Sequence, residues 1–364
     1  AGSTEAIFIA PPHEAALIPE FSWVEDSRVY PDTSDWAQIT GEILKELSLT
    51  RSSIGLETKS RFLTVDFYQS IQSLLPDAQL IDGSGIVESC RLIKSASEIE
   101  YMRKSASIAS DAHLSAMKET SGATTESEIQ SIIEAVFTRN NSQCSYGSIV
   151  AGGDNATILH YHSNSEPIRN GDLVLIDAGC EVNGYASDIT RTWPVSGKFS
   201  KSQKEIYEIV LKAQEAAISK CRAGNSWSDP HRAAMEVISN GLIDLGILDC
   251  SLEVAMGEDL NGETRRYFMH GTSHSLGLDV HDVGITRPNG KGPGRILEPG
   301  MILTVEPGLY FPLWTGDGGA PERYLGIGIR IEDDVLITDN EPEVLTNHCP
   351  KRVEDIEMVI GSEA

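Results

Sequence analysis

A chain of 364 residues, 40% of them apolar or aromatic, has room for two domains and a sizeable core. Its 29 basic residues against 54 acidic ones leave a net charge of −25, which argues against nucleic acid as a partner because phosphate recognition needs basic patches. No apolar run reaches the roughly 18 residues that span a bilayer, so no membrane partner is expected either.

The opening AGSTEAIFIAPP has no basic n-region before its short apolar stretch and does not look like a secretory signal. Cys90, Cys144, Cys180, Cys221, Cys250 and Cys349 are scattered without a C-x-x-C pair and read as free thiols of a reducing compartment. The cytoplasm is the expected location, or an organelle such as the mitochondrion if a targeting segment has been removed. Along residues 5–90, strands are expected at Ala6–Ala10, Ile54–Glu57 and Gln79–Ile81. Helices are expected at Asp35–Leu47, with Trp36, Ile39, Ile43 and Leu47 in helical spacing, and at Val65–Leu75. This alternation predicts a small α/β unit with a partly parallel sheet. His13 is its only histidine, so catalytic residue types are not concentrated there.

From Arg91 the texture changes, which places a domain boundary between residues 1–91 and 92–364. Arg91–Met117 reads as one long helix with Ser97 as its cap. Thr125 and Glu128 have capping-box spacing, and Ile129, Ile132, Ile133, Val136 and Phe137 form the stripe of the helix that follows. Residues 145–195 are strand-rich, with turn signals at Gly152-Gly153 and Asn170-Gly171-Asp172. A helix is expected over Ser202–Arg222 with Gly224 as its stop, and another from Ser228-Asp229-Pro230 to Leu245-Gly246. Strands then return around Tyr267–His274, Met301–Leu309 and Gly326–Ile337. Helices followed by strands, twice over, predict a pseudo-symmetric α+β core.

Four segments of this second part combine ligand-type residues with apolar or glycine-rich strands. In LVLIDAGCEVNGYASDITR, Asp177 ends an apolar run and Asp188 follows eleven residues later, as if on neighbouring strands of a hairpin. A carboxylate at the inner end of a strand is costly unless it is paired or holds a metal. YFMHGTSHSLGLDVHDVG carries His270, His274 and His281, and ILTVEPGLYF carries Glu306 before a Pro-Gly turn. In GIGIRIEDDVLIT, Arg330 and Glu332 alternate with isoleucines, so on a strand both face one side. Taken singly, an Asp at a strand end is more often a cap than a ligand. Glu306 could equally be a turn residue, and Glu332 could merely pair with Arg330. The conjunction is the signal. His13, His231 and His348 read as surface or core residues. GTSHS lacks the order of a G-x-S-x-G nucleophile elbow, and no phosphate-binding G-x-x-x-x-G-K-[ST] loop occurs.

With these residues the chain from about 92 to 360 resembles the metallopeptidases of the pita-bread fold: methionine aminopeptidase, prolidase and, nearest, aminopeptidase P. LIDAGCEVNGYASDITRTWPVSGKFS, YFMHGTSHSLGLDVHDVG, ILTVEPGLY and GIGIRIEDD look like that group's signature segments. The resemblance implies a pseudo-two-fold α+β domain, its curved antiparallel sheet covered by helices. It implies two divalent metals held by Asp177, Asp188, His274, Glu306 and Glu332. Asp188 and Glu332 would serve one ion and also bridge, His274 and Glu306 would serve the other, and Asp177 would be bidentate. Oxygen-rich ligands favour Mn²⁺, with Co²⁺ or Zn²⁺ as alternatives. Two ions roughly 3.5–4 Å apart would share a hydroxide that attacks the peptide bond before proline. Glu306 would carry its proton to the leaving amine. The family pattern also makes His160, seventeen residues before Asp177, a substrate-side residue. His281 would bond the substrate carbonyl, His270 would line the proline pocket, and Arg330 would pair with a ligand carboxylate. His162 has no counterpart and reads as surface.

The expected activity is removal of an N-terminal residue from peptides with proline second. Prolidase action on Xaa-Pro dipeptides is the runner-up, then a processing aminopeptidase without a strict proline requirement. An inactive pita-bread binding module is the alternative of a different class, and the intact ligand set weighs against it. Creatinase shares the fold without metals but lacks these five ligands. The N-terminal region is shorter than the family's usual first domain, either because its first part is missing or because the domain is naturally short. In relatives that domain assembles dimers or tetramers, so a homo-oligomer is expected. Phe311–Tyr324, with PERYLGIGIR after it begins, looks more like aminopeptidase P than prolidase.

Overall fold

Short apolar runs between capped helices shape the first part of the computed structural model, which describes residues 6–31, 33–284, 286–287, 292–313 and 320–361. The chain divides into two compact units, Ala1–Glu88 and Ser89–Ala364. The first holds β1 (Ile7–Ala10), α1 (Ile18–Phe21), β2 (Asp26–Val29), α2 (Trp36–Glu46), β3 (Ser53–Leu56), α3 (Val65–Leu74) and β4 (Gln79–Asp82). β1 pairs with β2 and β3 with β4, both parallel, as the strand–helix alternation requires. Asp35 caps α2 by accepting from the Ala37 N–H, and Thr64 caps α3 through Phe67. Ala37, Phe67, Ile71 and Leu75 form the small core of this unit. The four-residue elements α1 and β2 are too short and too polar to leave a periodic signal.

α4 (Ile86–Leu92) leads into the larger unit, where α5 (Ala96–Glu119) starts one turn later than the sequence pattern suggests. Its cap is Ser95, not Ser97. Ser95 Oγ accepts from the Glu98 N–H while Glu98 accepts from the Ser95 N–H, which leaves Ser97 inside the first turn. α6 (Glu126–Arg139) has the Thr125–Glu128 capping box in place and buries Ile129, Ile133 and Phe137. Then come β5 (Gln143–Cys144), β6 (Ile149–Gly152), β7 (Leu173–Asp177), β8 (Cys180–Val182), β9 (Tyr185–Ala186) and β10 (Thr190–Pro194). Asp177 and Asp188 are therefore not on a simple hairpin. β7 pairs with β10, but a separate β8–β9 hairpin intervenes and pairs with β5.

α7 (Lys201–Ile218) ends with Ser219 as its last capping position. Gly224 is not its stop: it sits six residues on, in the left-handed region, with its N–H bound to the Leu297 carbonyl. α8 (Ser228–Asp244) and α9 (Leu252–Met256) follow, then β11 (Ile302–Val305), β12 (Gly308–Phe311), β13 (Ile327–Arg330), β14 (Asp333–Leu336), β15 (Glu343–Val344) and α10 (Val353–Gly361). Both long runs expected as single strands break in two. Glu306-Pro307 separates β11 from β12, where proline cannot continue a ladder, and Ile331-Glu332 separates β13 from β14. Tyr267–His274 is not a strand. It runs beside β11 and β12 with single hydrogen bonds at intervals: Tyr310 N to Tyr267 O, Glu306 N to Thr272 O, and Thr304 N to His274 O.

The strand pairings of this unit are antiparallel, and helix pairs precede strands twice, as the pseudo-symmetric reading expects. One core joins Ala109 and Met117 of α5, Phe137 of α6, Trp193 of β10, Val210 of α7, Ile238 of α8 and Ile329 of β13. Burying each large apolar side chain contributes roughly 1.5–3 kcal/mol, so the strands have little freedom to shift. Within β7, Val174 and Ile176 face this core, whereas Leu175 packs with Tyr161 and Tyr310 on the other side. Asp177 falls on Leu175's face. The two halves of the unit meet where Glu332 N donates to Thr190 O and Thr192 Oγ1 bonds the Arg330 backbone.

Candidate metal centre

The five expected ligands lie where ladders end or break. Asp177 closes β7, Asp188 stands two residues before β10, and Glu306 and Glu332 occupy the two interruptions just described. His274 is in the irregular segment beside β11. One donor atom each from Asp188, His274 and Glu332 lie within 4.8 Å of one another. His274 Nε2 is 3.5 Å from Asp188 Oδ2 and 3.7 Å from Glu306 Oε1. The other ring nitrogen, Nδ1, is 3.1 Å from the Ser275 carbonyl. A carbonyl can only accept, so Nδ1 carries a proton and Nε2 is the ring nitrogen turned toward the two carboxylates. That leaves Nε2 placed as a metal ligand beside carboxylate oxygens.

Asp177 is held from two sides. Arg330 Nη2 donates to Oδ2 at 2.5 Å, and the Tyr146 hydroxyl lies 2.5 Å from Oδ1. That same hydroxyl reaches Asp188 Oδ1, so one proton serves two carboxylates. Arg330 also donates from Nε to Thr190 Oγ1 at 3.1 Å, and Thr190 donates to Glu332 Oε2 at 2.6 Å. From Nη1, Arg330 donates to the Tyr310 hydroxyl at 3.1 Å, which lies 2.9 Å from His270 Nε2. His270 Nδ1 is 2.7 Å from the Gly271 carbonyl, so Nε2 is the acceptor in this chain.

The electrostatics carry the signature of a site built for cations. Burial, then the charge of Asp177, pushes Asp188 well above the usual carboxylate range, and burial with Asp188 does the same to Glu332. Burial and Glu332 raise Glu306 to about 8. His270 falls to about 3, from burial first and the Arg330 charge second, and stays neutral. Four carboxylates face a single guanidinium. Burial and mutual repulsion raise the proton affinity of Asp188, Glu306 and Glu332, and positive ions among them would relieve both. Four carboxylates and one neutral imidazole fit two hard divalent ions, which prefer oxygen ligands.

At the rim, His160 and His281 are exposed, and the His281 ring stands 4.3 Å from that of His274 at 71°. His162 is exposed too and stacks loosely on His160. His231 is half-buried, with Nδ1 2.7 Å from Thr272 Oγ1, while His13 and His348 lie on the surface. Of Phe311–Tyr324, residues 314–319 lie outside the described residues. Sequence reasoning missed Tyr146, Thr190 and Tyr310. Thr190 opens β10, but Asp188 lies before that strand, so their spacing of two does not by itself put them on one face. Tyr146, 31 residues before Asp177, has no local signal.

Comparison with known proteins agrees with this geometry. Residues 100–339 match the model of metallopeptidase family M24, and residues 2–93 match the creatinase/prolidase N-terminal domain. The chain is 46% identical to the Xaa-Pro aminopeptidase of Haemophilus influenzae over 291 residues, 80% of this chain and 66% of that protein. It is 37% identical to the mitochondrial intermediate cleaving peptidase 55 of Arabidopsis thaliana, over 88% of this chain and 62% of the other. The chain thus spans a little under two thirds of these curated relatives. The structure of Pseudomonas aeruginosa aminopeptidase PepP superposes with a TM-score of 0.85 at 34% identity, covering 98% of this chain and 82% of that one.

Proposed function

Because the chain belongs to metallopeptidase family M24, we propose that it is an Xaa-Pro aminopeptidase, a hydrolase that removes the N-terminal residue of peptides with proline second. The observation that carries this reading is His274 Nε2, aimed at Asp188 and Glu306 beside Asp177 and Glu332. Membership of the family implies divalent metal. We assign it to two ions, Mn²⁺ first and Co²⁺ or Zn²⁺ as substitutes, held by Asp177, Asp188, His274, Glu306 and Glu332. When bound, such a pair supplies a water of lowered pKa and polarises the scissile carbonyl.

The protein's own groups do the rest. Arg330 fixes one oxygen of Asp177 and, through Thr190, one oxygen of Glu332, so both carboxylates arrive in a set orientation. Glu306, half-buried beside His274, takes a proton from the attacking water and delivers it to the leaving proline nitrogen. His281 at the rim donates to the substrate carbonyl. His270, neutral and tied to Tyr310, offers an uncharged wall to the proline ring, with His160 on the substrate side.

The test compares Xaa-Pro, Xaa-Pro-Xaa and Xaa-Ala-Xaa peptides under Mn²⁺, Co²⁺ and Zn²⁺. Cleavage of Xaa-Pro-Xaa foremost is expected; preference for the dipeptide would replace the assignment with prolidase. Failure on all three would sink it. The Arabidopsis relative, named an intermediate cleaving peptidase, gives weight to a processing enzyme without a strict proline requirement, and efficient cleavage of Xaa-Ala-Xaa would favour it. We also read the protein as a cytoplasmic homo-oligomer. All six cysteines are free thiols, and Phe21, Trp23 and Phe62 of the first unit are 77%, 84% and 75% exposed, an apolar surface suited to a second copy. Light scattering of the purified protein tests the assembly.

A further inference from the structure

His281 makes no hydrogen bond through its side chain among the described residues, yet the reaction needs its ring in one place. Beyond its edge contact with the His274 ring, its position depends on the backbone that carries it. The next residue, Asp282, is the opposite kind of group: its side chain is 1% exposed. Asp282 Oδ2 accepts from Lys94 Nζ at 3.2 Å, and Oδ1 accepts from Arg91 Nη2 and from the Val283 N–H. The Asp282 N–H donates to the carbonyl of Ser275, the neighbour of His274. Lys94 is itself only 2% exposed, and its own N–H is tied to the Gly300 carbonyl.

Space has been cleared for this pair. A Cβ on Gly277 would come within 2.2 Å of Asp282 Oδ2 and 3.0 Å of Lys94 Cε. Stability alone is a weak reason to bury such a pair, since well-packed apolar residues in its place are often as stable or more so. What an apolar pair cannot do is fix a direction. Two charge-assisted bonds at one carboxylate, with a backbone bond on either side, set the orientation of the 281–283 segment. We propose that Lys94, through its buried contact with Asp282, is a positioning residue for His281. Arg91 supports it, its Nη2 shared between Asp282 Oδ1 and Asp279 Oδ2, the latter at 2.9 Å. This assignment rests on the role given to His281 above. Lys94 lies 188 residues from its partner in sequence and, among the described residues, makes no hydrogen bond or ion pair with any of the five candidate ligands.

The test is a double-mutant cycle in the full chain under Mn²⁺, using an Xaa-Pro-Xaa peptide. Lys94→Met should lower kcat by about ten- to a hundredfold, the range for a displaced catalytic group. KM and metal stoichiometry should stay unchanged, and Lys94→Arg should restore most of the loss. In a His281→Ala background, Lys94→Met should cost nothing further, since the group it positions is gone. A readout without activity uses metal-free protein labelled at histidine Cε1: the His281 resonance should shift or broaden in Lys94→Met while that of His270 does not. Equal losses of kcat in both backgrounds, loss of metal, or an unmoved His281 resonance would each overturn the proposal. Asp282→Asn, which keeps shape and weakens the pair, gives the same readouts if Lys94→Met does not accumulate. If the wild-type protein cleaves no peptide, the enzymatic reading fails, and the resonance experiment still decides the positioning.

Discussion

Glu332 and Asp333 are adjacent, both fully buried, and pushed in opposite directions. Asp333 accepts from Arg191 Nη2, Gln214 Nε2 and Thr346 Oγ1, each at 2.7 Å, and from Lys351 Nζ at 2.5 Å. Burial raises its proton affinity, but Arg191 and Lys351 outweigh that and hold it well below the usual carboxylate range. Glu332 faces Asp188 and Asp177 instead, and burial with their charge drives it far above that range. One cluster draws its countercharge from Arg191 and Lys351 of the chain itself; the other brings together donors that fit cations. Burial of charge is thus no mark of function by itself. A group of buried acids facing one another, with a histidine nitrogen among them, is a stronger sign.

The largest effect expected from this contrast is at the cluster around Glu332. Asp188→Ala or His274→Ala should abolish peptidase activity and lower the metal content of the purified protein. Metal analysis beside peptide assays checks both, and full activity in either variant would remove the site assignment. In the cluster around Asp333 the damage should be to stability, not to metal binding. Arg191→Met leaves Asp333 buried with Lys351 as its only cation and should cost about 3–5 kcal/mol in urea denaturation. Pairing it with Asp333→Leu should recover much of that. If the single change instead removed metal at unchanged stability, the two clusters would not be separable.

His113 is a third case, burial with hardly any partner. It lies wholly inside α5, with Nδ1 2.9 Å from the Ala109 carbonyl, and burial lowers it to about 4 from an ordinary 6.5. The folded protein keeps this imidazole neutral, while the unfolded chain takes up a proton below 6.5. The resulting stability is therefore complete above pH 6.5, declines as the pH falls toward 4, and then levels, a change of about 3 kcal/mol. Denaturation of wild type and His113→Gln at pH 7.5 and 4.5 isolates it. Equal losses in both proteins would contradict the account. The smallest effect belongs to Thr190→Val, which removes the hydroxyl between Arg330 and Glu332. About 10- to 100-fold lower metal affinity or activity is expected, with little change in melting temperature; calorimetric titration with Mn²⁺ reads it.

Much of this was legible beforehand because it depends on neighbours in the chain. The Thr125–Glu128 capping box, the α6 stripe and the apolar run into Asp177 are local patterns that survive folding unchanged. The Ser95 cap was misplaced by two residues because Ser97 also precedes an apolar spacing, and only the reciprocal bonds with Glu98 separate them. The strand breaks at Glu306 and Glu332 were less visible, since an apolar run looks continuous until the carboxylate in it has somewhere to turn.

By itself the sequence determined which carboxylates and histidines could meet: acids at the ends of apolar runs have few inexpensive environments, so Asp177, Asp188, Glu306 and Glu332 advertise a shared one. Only the tertiary structure decided what each charge experiences. Glu332 and Asp333 have the same chemistry and the same burial. Their difference comes from groups over a hundred residues away, Asp177 and Asp188 for one and Arg191 for the other. Tyr146, Thr190 and Tyr310 likewise enter the site through contacts that no local spacing encodes, because electrostatic forces and hydrogen bonds act through space.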